Sequence, residues 1–257
     1  QQILNKLQSV NELGTLKVAA VLSVNDKTAT VLLKNGEQTT LTWDNLKWAR
    51  KYITRYRQSF APKAATDILT PGMQIWVRQN EDSSFLLSQV PEASSAIVSL
   101  DPQDGRIKAI VGGYSFEQSQ YNRAVQAKRQ VGSNIKPFIY SAALEKGYTL
   151  ASILNDAPIN QWDKSQGVAW RPKNSPAVYN GPIRIRRALA QSKNVISVRL
   201  LRGVGLQRTA DHLLKFGFQD ADINRSESLA LGSASITPLE LARGMSTFAN
   251  GGHLIEP

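Results

Sequence analysis

Between residues 14 and 91 apolar and polar positions alternate in short runs, the period of a strand with one buried face. Residues 15–24, 28–33 and 38–43 form three such runs, with turns at Asn25-Asp26 and Asn35-Gly36. Asn-Gly between β-rich runs marks a tight hairpin, because both residues tolerate positive φ. Two further strands are expected at 73–78 and 85–90, framed by Thr70-Pro71-Gly72 and Asn80-Glu81-Asp82-Ser83. Three strands, a connector and two strands match a small five-stranded OB-type barrel. In the connector, about residues 44–60, Trp43, Trp48, Tyr52 and Tyr56 recur at steps of five, four and four among Lys47, Arg50, Lys51, Arg55 and Arg57. That spacing predicts a packed helix stripe or an irregular linker. Residues 1–13 show no clear element and read as a linker, although Ile3, Leu4, Leu7 and Val10 fit a short amphipathic turn or strand.

After Pro91 the pattern changes, which places a boundary at about residue 93. Residues 96–100 and 106–111 are strands around the turn Asp101-Pro-Gln-Asp-Gly105, followed by a loop over 112–128. From about Ser133 the apolar positions Ile135, Phe138, Ile139, Ala142 and Ala143 recur at helical spacing until Gly147. Pro137 donates no hydrogen bond, so the helix has to start at about Ser133. Residues 155–182 read as an ordered but irregular loop bearing Trp162, Trp170 and Tyr179, and 183–203 and 206–216 read as helices. Thr237-Pro238-Leu239-Glu240 combines an N-cap, a proline at the first helical position and a glutamate at the third, and that helix ends at Gly251-Gly252. The whole is α+β.

Composition narrows the chemistry. The 257 residues carry a formal charge of +11, unevenly spread: eleven Lys/Arg against eight Asp/Glu in residues 1–93, and twenty against twelve in the rest. An OB barrel with aromatics among cations invites single-stranded nucleic acid, but the low net charge of the first segment and the expected helix stripe argue against it. There is no cysteine, hence no disulfide or thiolate nucleophile, and no apolar run approaches the length of a membrane span. The only histidines, His212 and His253, read as packing or surface residues. No cofactor and no metal-ligand set is expected.

What remains is serine chemistry. Ser133 and Lys136, three apart on a helix, are surface neighbours and pair a nucleophile with its own base. Ser192-Lys193-Asn194 follows 59 residues after Ser133 and offers a second hydroxyl that can relay a proton. The lysine has to be neutral to act, so burial or nearby cations have to lower its pKa.

With Gly132-Ser-Asn-Ile-Lys-Pro-Phe138, Ser192-Lys-Asn194, Tyr179-Asn-Gly-Pro182 and Leu231-Gly-Ser-Ala-Ser-Ile-Thr-Pro-Leu-Glu-Leu-Ala242 in view, residues 93–257 resemble the transpeptidase region of class A penicillin-binding proteins of the 1A type. Residues 14–91 resemble the OB-type domain found beside it. The resemblance implies a β-lactamase/transpeptidase-like α/β domain and a D,D-transpeptidase that cross-links peptidoglycan stem peptides. Ser133 would attack the D-Ala-D-Ala carbonyl and be acylated by β-lactams, with Lys136 as base, Ser192 as relay and Asn194 orienting the substrate amide. The Ser133 N–H would donate to the oxyanion. It further implies a protein on the periplasmic side of a bacterial inner membrane, anchored through a segment outside this sequence, with a protein regulator as a candidate partner of the OB-like domain and no nucleic acid. The family's Lys-Thr/Ser-Gly strand motif does not occur in these residues, so the transpeptidase domain reads as incomplete and this stretch alone as inactive. Two rival readings are a serine β-lactamase, in which Glu227 would activate water, and a non-catalytic OB-type binding module beside an inactive transpeptidase fragment.

Overall fold

A computed structural model of the chain describes residues 2–159 and 170–257; Trp162 lies outside them. The chain divides into two compact units, Gln1–Ser94 with Gly113–Gln120, and Ser95–Gly112 with Tyr121–Pro257.

The first unit opens with helix α1 (Gln2–Gln8), followed by β1 (Leu16–Val24), β2 (Thr28–Leu33), β3 (Gln38–Thr42), β4 (Tyr52–Thr54), β5 (Arg57–Gln58), β6 (Gln74–Gln79) and β7 (Phe85–Ser88). Five of these strands form one antiparallel sheet in the order β3-β2-β1-β6-β7. A bulge in β1 between Val21 and Ser23 bends the sheet, which curls until β3 approaches β7. Ala19, Val21, Val31, Leu41, Val77 and Leu87 fill the inside. β1 is apolar on both faces because Leu7 of α1 covers Val18 and Ala20 from outside, so the amphipathic pattern near the N-terminus resolves as a helix. Within this unit Gln118 Nε2 donates to the Pro91 carbonyl at 3.2 Å.

The connector is not a helix. A 3-10 turn at Trp43–Asn45 is followed by the hairpin β4–β5, and Tyr52, Tyr56 and Phe60 are 72, 91 and 94% exposed. Tyr, Ile and Thr at 52–54 are strand formers, and their preference overrides the four-residue recurrence of the aromatics. Trp43 packs against the barrel core, whereas Trp48 stays on the surface with its Nε1 donating to the Leu87 carbonyl at 3.1 Å.

The second unit contains the hairpin β8 (Ile97–Leu100) and β9 (Ile107–Val111), helix α2 (Arg123–Gln126), β10 (Arg129–Gln130), α3 (Lys136–Glu145), β11 (Ile153–Asp156), β12 (Gly181–Arg184), α4 (Ile185–Ala190), α5 (Asn194–Val204), α6 (Leu206–Leu214), β13 (Ser235–Ile236) and α7 (Pro238–Ala249). α3 is the centre. Ile139 and Ala143 are fully buried in the same core as Val195 and Val198 of α5 and Leu213 of α6, and Phe138 meets Phe216 and Phe218 edge-on, with centroids 4.8 and 5.0 Å away. The capping box forms as expected: Glu240 N donates to Thr237 Oγ1 at 3.2 Å and Thr237 N to Glu240 Oε2 at 2.9 Å. The expected helix over 183–203 is interrupted. β12 pairs with β11 across the two ends of the segment read as a loop, taking Ile183 and Arg184 from the expected helix, and the chain breaks again between α4 and α5, at the Ser-Lys-Asn motif.

Candidate active site

Ser133 stands on a 3-10 turn, Gly132–Ile135, directly before α3. Lys136 N–H closes that turn on the Ser133 carbonyl, and Pro137 begins the helix without needing an acceptor. The turn is braced by a segment about a hundred residues further along the chain. β10 pairs with β13, Val131 N donates to the Ala234 carbonyl and Gly132 N to the Gly232 carbonyl, both at 3.1 Å. Gly132 has φ +55 and Gly232 φ +86, and a Cβ on Gly232 would collide with the Gly132 carbonyl oxygen. Only glycine allows this backbone approach. The Leu231–Ile236 stretch therefore holds the turn that carries Ser133.

Ser192 is placed by the end of α4. Lys193 N donates to the Ala188 carbonyl and Ser192 N to the Leu189 carbonyl, each at 2.9 Å, the paired bonds of a Schellman C-cap. Its left-handed position, usually glycine, is Ser192 with φ +50. The strained serine points its hydroxyl at the neighbouring turn, and Ser192 Oγ donates to Ser133 Oγ at 3.1 Å.

Lys136 joins the two. Its side chain is buried, the residue being 1% exposed, and Nζ donates to Ser192 Oγ at 2.9 Å, to the Ser192 carbonyl at 2.6 Å and to Asn194 Oδ1 at 2.7 Å. Three acceptors match the three hydrogens of an ammonium. Burial works against that charge and lowers the Lys136 pKa to about 8. Lys136 therefore meets Ser133 through Ser192; among the described hydrogen bonds none joins Lys136 Nζ and Ser133 Oγ directly. Asn194 uses both ends of its amide, accepting from Lys136 and donating from Nδ2 to the Lys173 carbonyl at 2.9 Å.

Residues not singled out in the sequence form the floor. Asp156, fully buried, pairs with Lys193 at 2.9 Å and accepts from Asn174 Nδ2 at 2.7 Å and Asn180 N at 3.0 Å. Burial raises its pKa, but these three partners outweigh it and the net shift is downward. Asn174 Oδ1 accepts from Val195 N at 3.2 Å at the start of α5. The network spans residues 156–195, so no local pattern marks it; the one cue is a lysine inside Ser-Lys-Asn that needs a buried partner.

Glu227 does not join this group. Its carboxylate is held by Arg202 Nε and Nη2 at 2.6 and 2.7 Å. His212 is buried, its Nε2 3.0 Å from Ser141 Oγ and its Nδ1 beside the Glu145 carboxylate, and burial lowers its pKa. In this serine–histidine–glutamate row Ser141 lies inside α3, so its own N–H is used by the helix and cannot serve an oxyanion.

Compared with known proteins, residues 1–93 match the family model of the penicillin-binding protein OB-like domain and residues 95–257 that of the penicillin-binding protein transpeptidase domain. The chain is 52% identical to penicillin-binding protein 1A of Vibrio cholerae, over 95% of the chain and 30% of the relative. It is 51% identical to that of Escherichia coli, over 100% of the chain and 30% of the relative. The crystal structure of penicillin-binding protein 1A from Haemophilus influenzae superposes with a TM-score of 0.87 at 44% identity, covering 100% of the chain and 36% of that structure. The chain thus spans about 30% of the length of the curated relatives it matches.

Proposed function

We infer the activity from one premise: the chain belongs to the penicillin-binding protein family, with that family's transpeptidase domain and the OB-like domain before it. The protein of which this sequence is part is a D,D-transpeptidase of peptidoglycan synthesis and a target of β-lactams, working on the periplasmic side of a bacterial inner membrane. The observation that carries the reading is the chain of contacts Ser133, Ser192, Lys136, with the lysine buried and its pKa lowered to about 8.

In the resting arrangement the hydrogens run from Lys136 to Ser192 and from Ser192 to Ser133, the order of an ammonium at one end. Catalysis needs the reverse. Once Lys136 is neutral, its lone pair takes the Ser192 proton while Ser192 takes that of Ser133, and Ser133 Oγ attacks the carbonyl of the D-Ala-D-Ala bond. The tetrahedral oxygen receives the Ser133 N–H, which at the first turn before α3 has no intrahelical acceptor. The same relay returns a proton to the amine of the departing D-Ala as the C–N bond breaks. The amine of a second stem peptide then attacks the ester, and Ser133 leaves protonated. Asn194 keeps Lys136 aimed at Ser192 and retains an oxygen lone pair for a substrate N–H.

The β-lactamase reading loses its water-activating residue, because Glu227 is occupied by Arg202. The full-length protein, incubated with uncross-linked peptidoglycan strands, is expected to release D-alanine and form cross-linked stem peptides, both blocked by penicillin. Rapid penicillin turnover without cross-links would establish the hydrolase, and neither reaction in a folded sample would leave the binding module.

A further inference from the structure

Apart from the serine–lysine cluster, the second unit carries a concave, cationic site with no assigned role. A cavity of about 510 Å³ is lined by Ile153, Pro182, Ile183, Arg184, Arg186, Arg187 and Ala190. Arg184, Arg186 and Arg187 are exposed, and among the described residues none of the three guanidinium groups has an ion-pair partner or a side-chain hydrogen bond. Three unneutralised arginines within four residues repel one another, and nothing in the local packing needs them, since the buried members of this segment are Ile183, Ile185 and Ala188. The arrangement fits a ligand with several anionic groups and an apolar spacer: the planar guanidinium fork matches a carboxylate in two parallel hydrogen bonds, while Ile153 and Pro182 supply an apolar wall.

The groove sits on the same short hairpin as the catalytic floor. β11 and β12 pair Ile153 with Arg184 at one end and Asp156 with Gly181 at the other, and Asp156 holds Lys193 beside Ser192. Three strand steps of roughly 3.4 Å separate the two ends, roughly 10 Å. α4, which bears Arg186 and Arg187, runs directly into Ser192. An extended peptide of four or five residues spans about 14–17 Å, longer than the stretch of hairpin between the groove and Asp156.

We propose that the Arg184–Arg186–Arg187 groove is a docking site for the free carboxylates of stem peptides along a peptidoglycan strand, holding the polymer while one of its peptides is processed at Ser133. The proposal rests on the transpeptidase reading for the identity of the polymer. The groove contributes affinity for the strand and takes no part in bond making.

The test uses full-length protein carrying Ser133→Ala, so that nothing is turned over, and measures its affinity for soluble uncross-linked strands with free or amidated stem carboxylates, and for vesicles containing an anionic phospholipid. Replacing all three arginines by glutamine is expected to weaken binding of the carboxylate strands about tenfold or more, with the salt dependence flattened, and to leave binding of amidated strands unchanged. The triple lysine variant, which keeps the charge but loses the fork, is expected to fall between the two, and melting curves establish that each variant is folded. Equal affinity of the arginine and glutamine proteins for carboxylate strands overturns the proposal. So does arginine-dependent binding of vesicles without binding of strands, which would mark a lipid headgroup site. A β-lactam adduct on the wild-type protein reports on the Ser133 reading separately: its absence would fail that reading, while the strand affinities would still decide the groove.

Discussion

Lys136 and Ser192 each work under a cost imposed by their surroundings. Burial holds the Lys136 pKa at about 8, against about 10.4 in an unfolded chain. Acylation of Ser133 by a β-lactam is therefore expected to accelerate as pH rises through about 8, where the amine becomes a base. Lys136→Ala is expected to slow it about 10²–10⁴-fold and to remove that pH step, which stopped-flow acylation at a series of pH values reads directly. The sign for stability is the same: between about 8 and 10.4 the unfolded lysine holds a proton that the folded one has lost, so this residue's contribution to stability rises with pH across that window. Ser192 carries its cost in the backbone, at φ +50 in a glycine position. Ser192→Gly relieves about 1 kcal/mol of left-handed strain but takes one acceptor from the buried Lys136 ammonium, a cost of about 1–3 kcal/mol, so no net gain in melting temperature is expected, while acylation slows because the hydroxyl between Lys136 and Ser133 is gone. A variant as fast as wild type would mean that the proton does not pass through Ser192.

At the level of elements, the site depends on two pieces of backbone distant in sequence. Gly232 lets the segment before β13 touch the turn that carries Ser133. Gly232→Ala would drive a methyl into the Gly132 carbonyl and meet a positive φ, an expected loss of about 1–3 kcal/mol or more, with acylation slowed because Ser133 shifts. Asp156 anchors the other side. Asp156→Ala leaves Lys193 buried without its partner, expected to cost about 3–5 kcal/mol, visible in chemical denaturation. These elements also mark where the sequence is legible. Period-two alternation locates the five barrel strands within a residue or two, and the Thr237–Glu240 box locates the last helix, because both are local patterns. The spacing of Ser133 and Lys136 is equally local. The break at Ser192 is hidden because serine, unlike glycine, does not announce a left-handed C-cap. The Asp156–Asn174–Lys193 floor is hidden because its members meet only in the folded chain. The hairpin at 52–58 escapes a periodicity argument because aromatics at helical spacing are also good strand residues.

For the molecule as a whole, two matched domains and identity near one half to relatives more than three times as long make this chain one portion of a penicillin-binding protein's architecture. No helix among the described residues is long and apolar enough to cross a membrane. The decisive property of the whole protein is whether Ser133 becomes covalently acylated. Intact-mass spectrometry of the full-length protein after penicillin treatment, beside the Ser133→Ala variant, measures this directly. The predicted result is a single long-lived adduct, mapped to the peptide containing Ser133 and absent from the variant; an adduct of the same stoichiometry on a folded Ser133→Ala protein would contradict the assignment of the nucleophile.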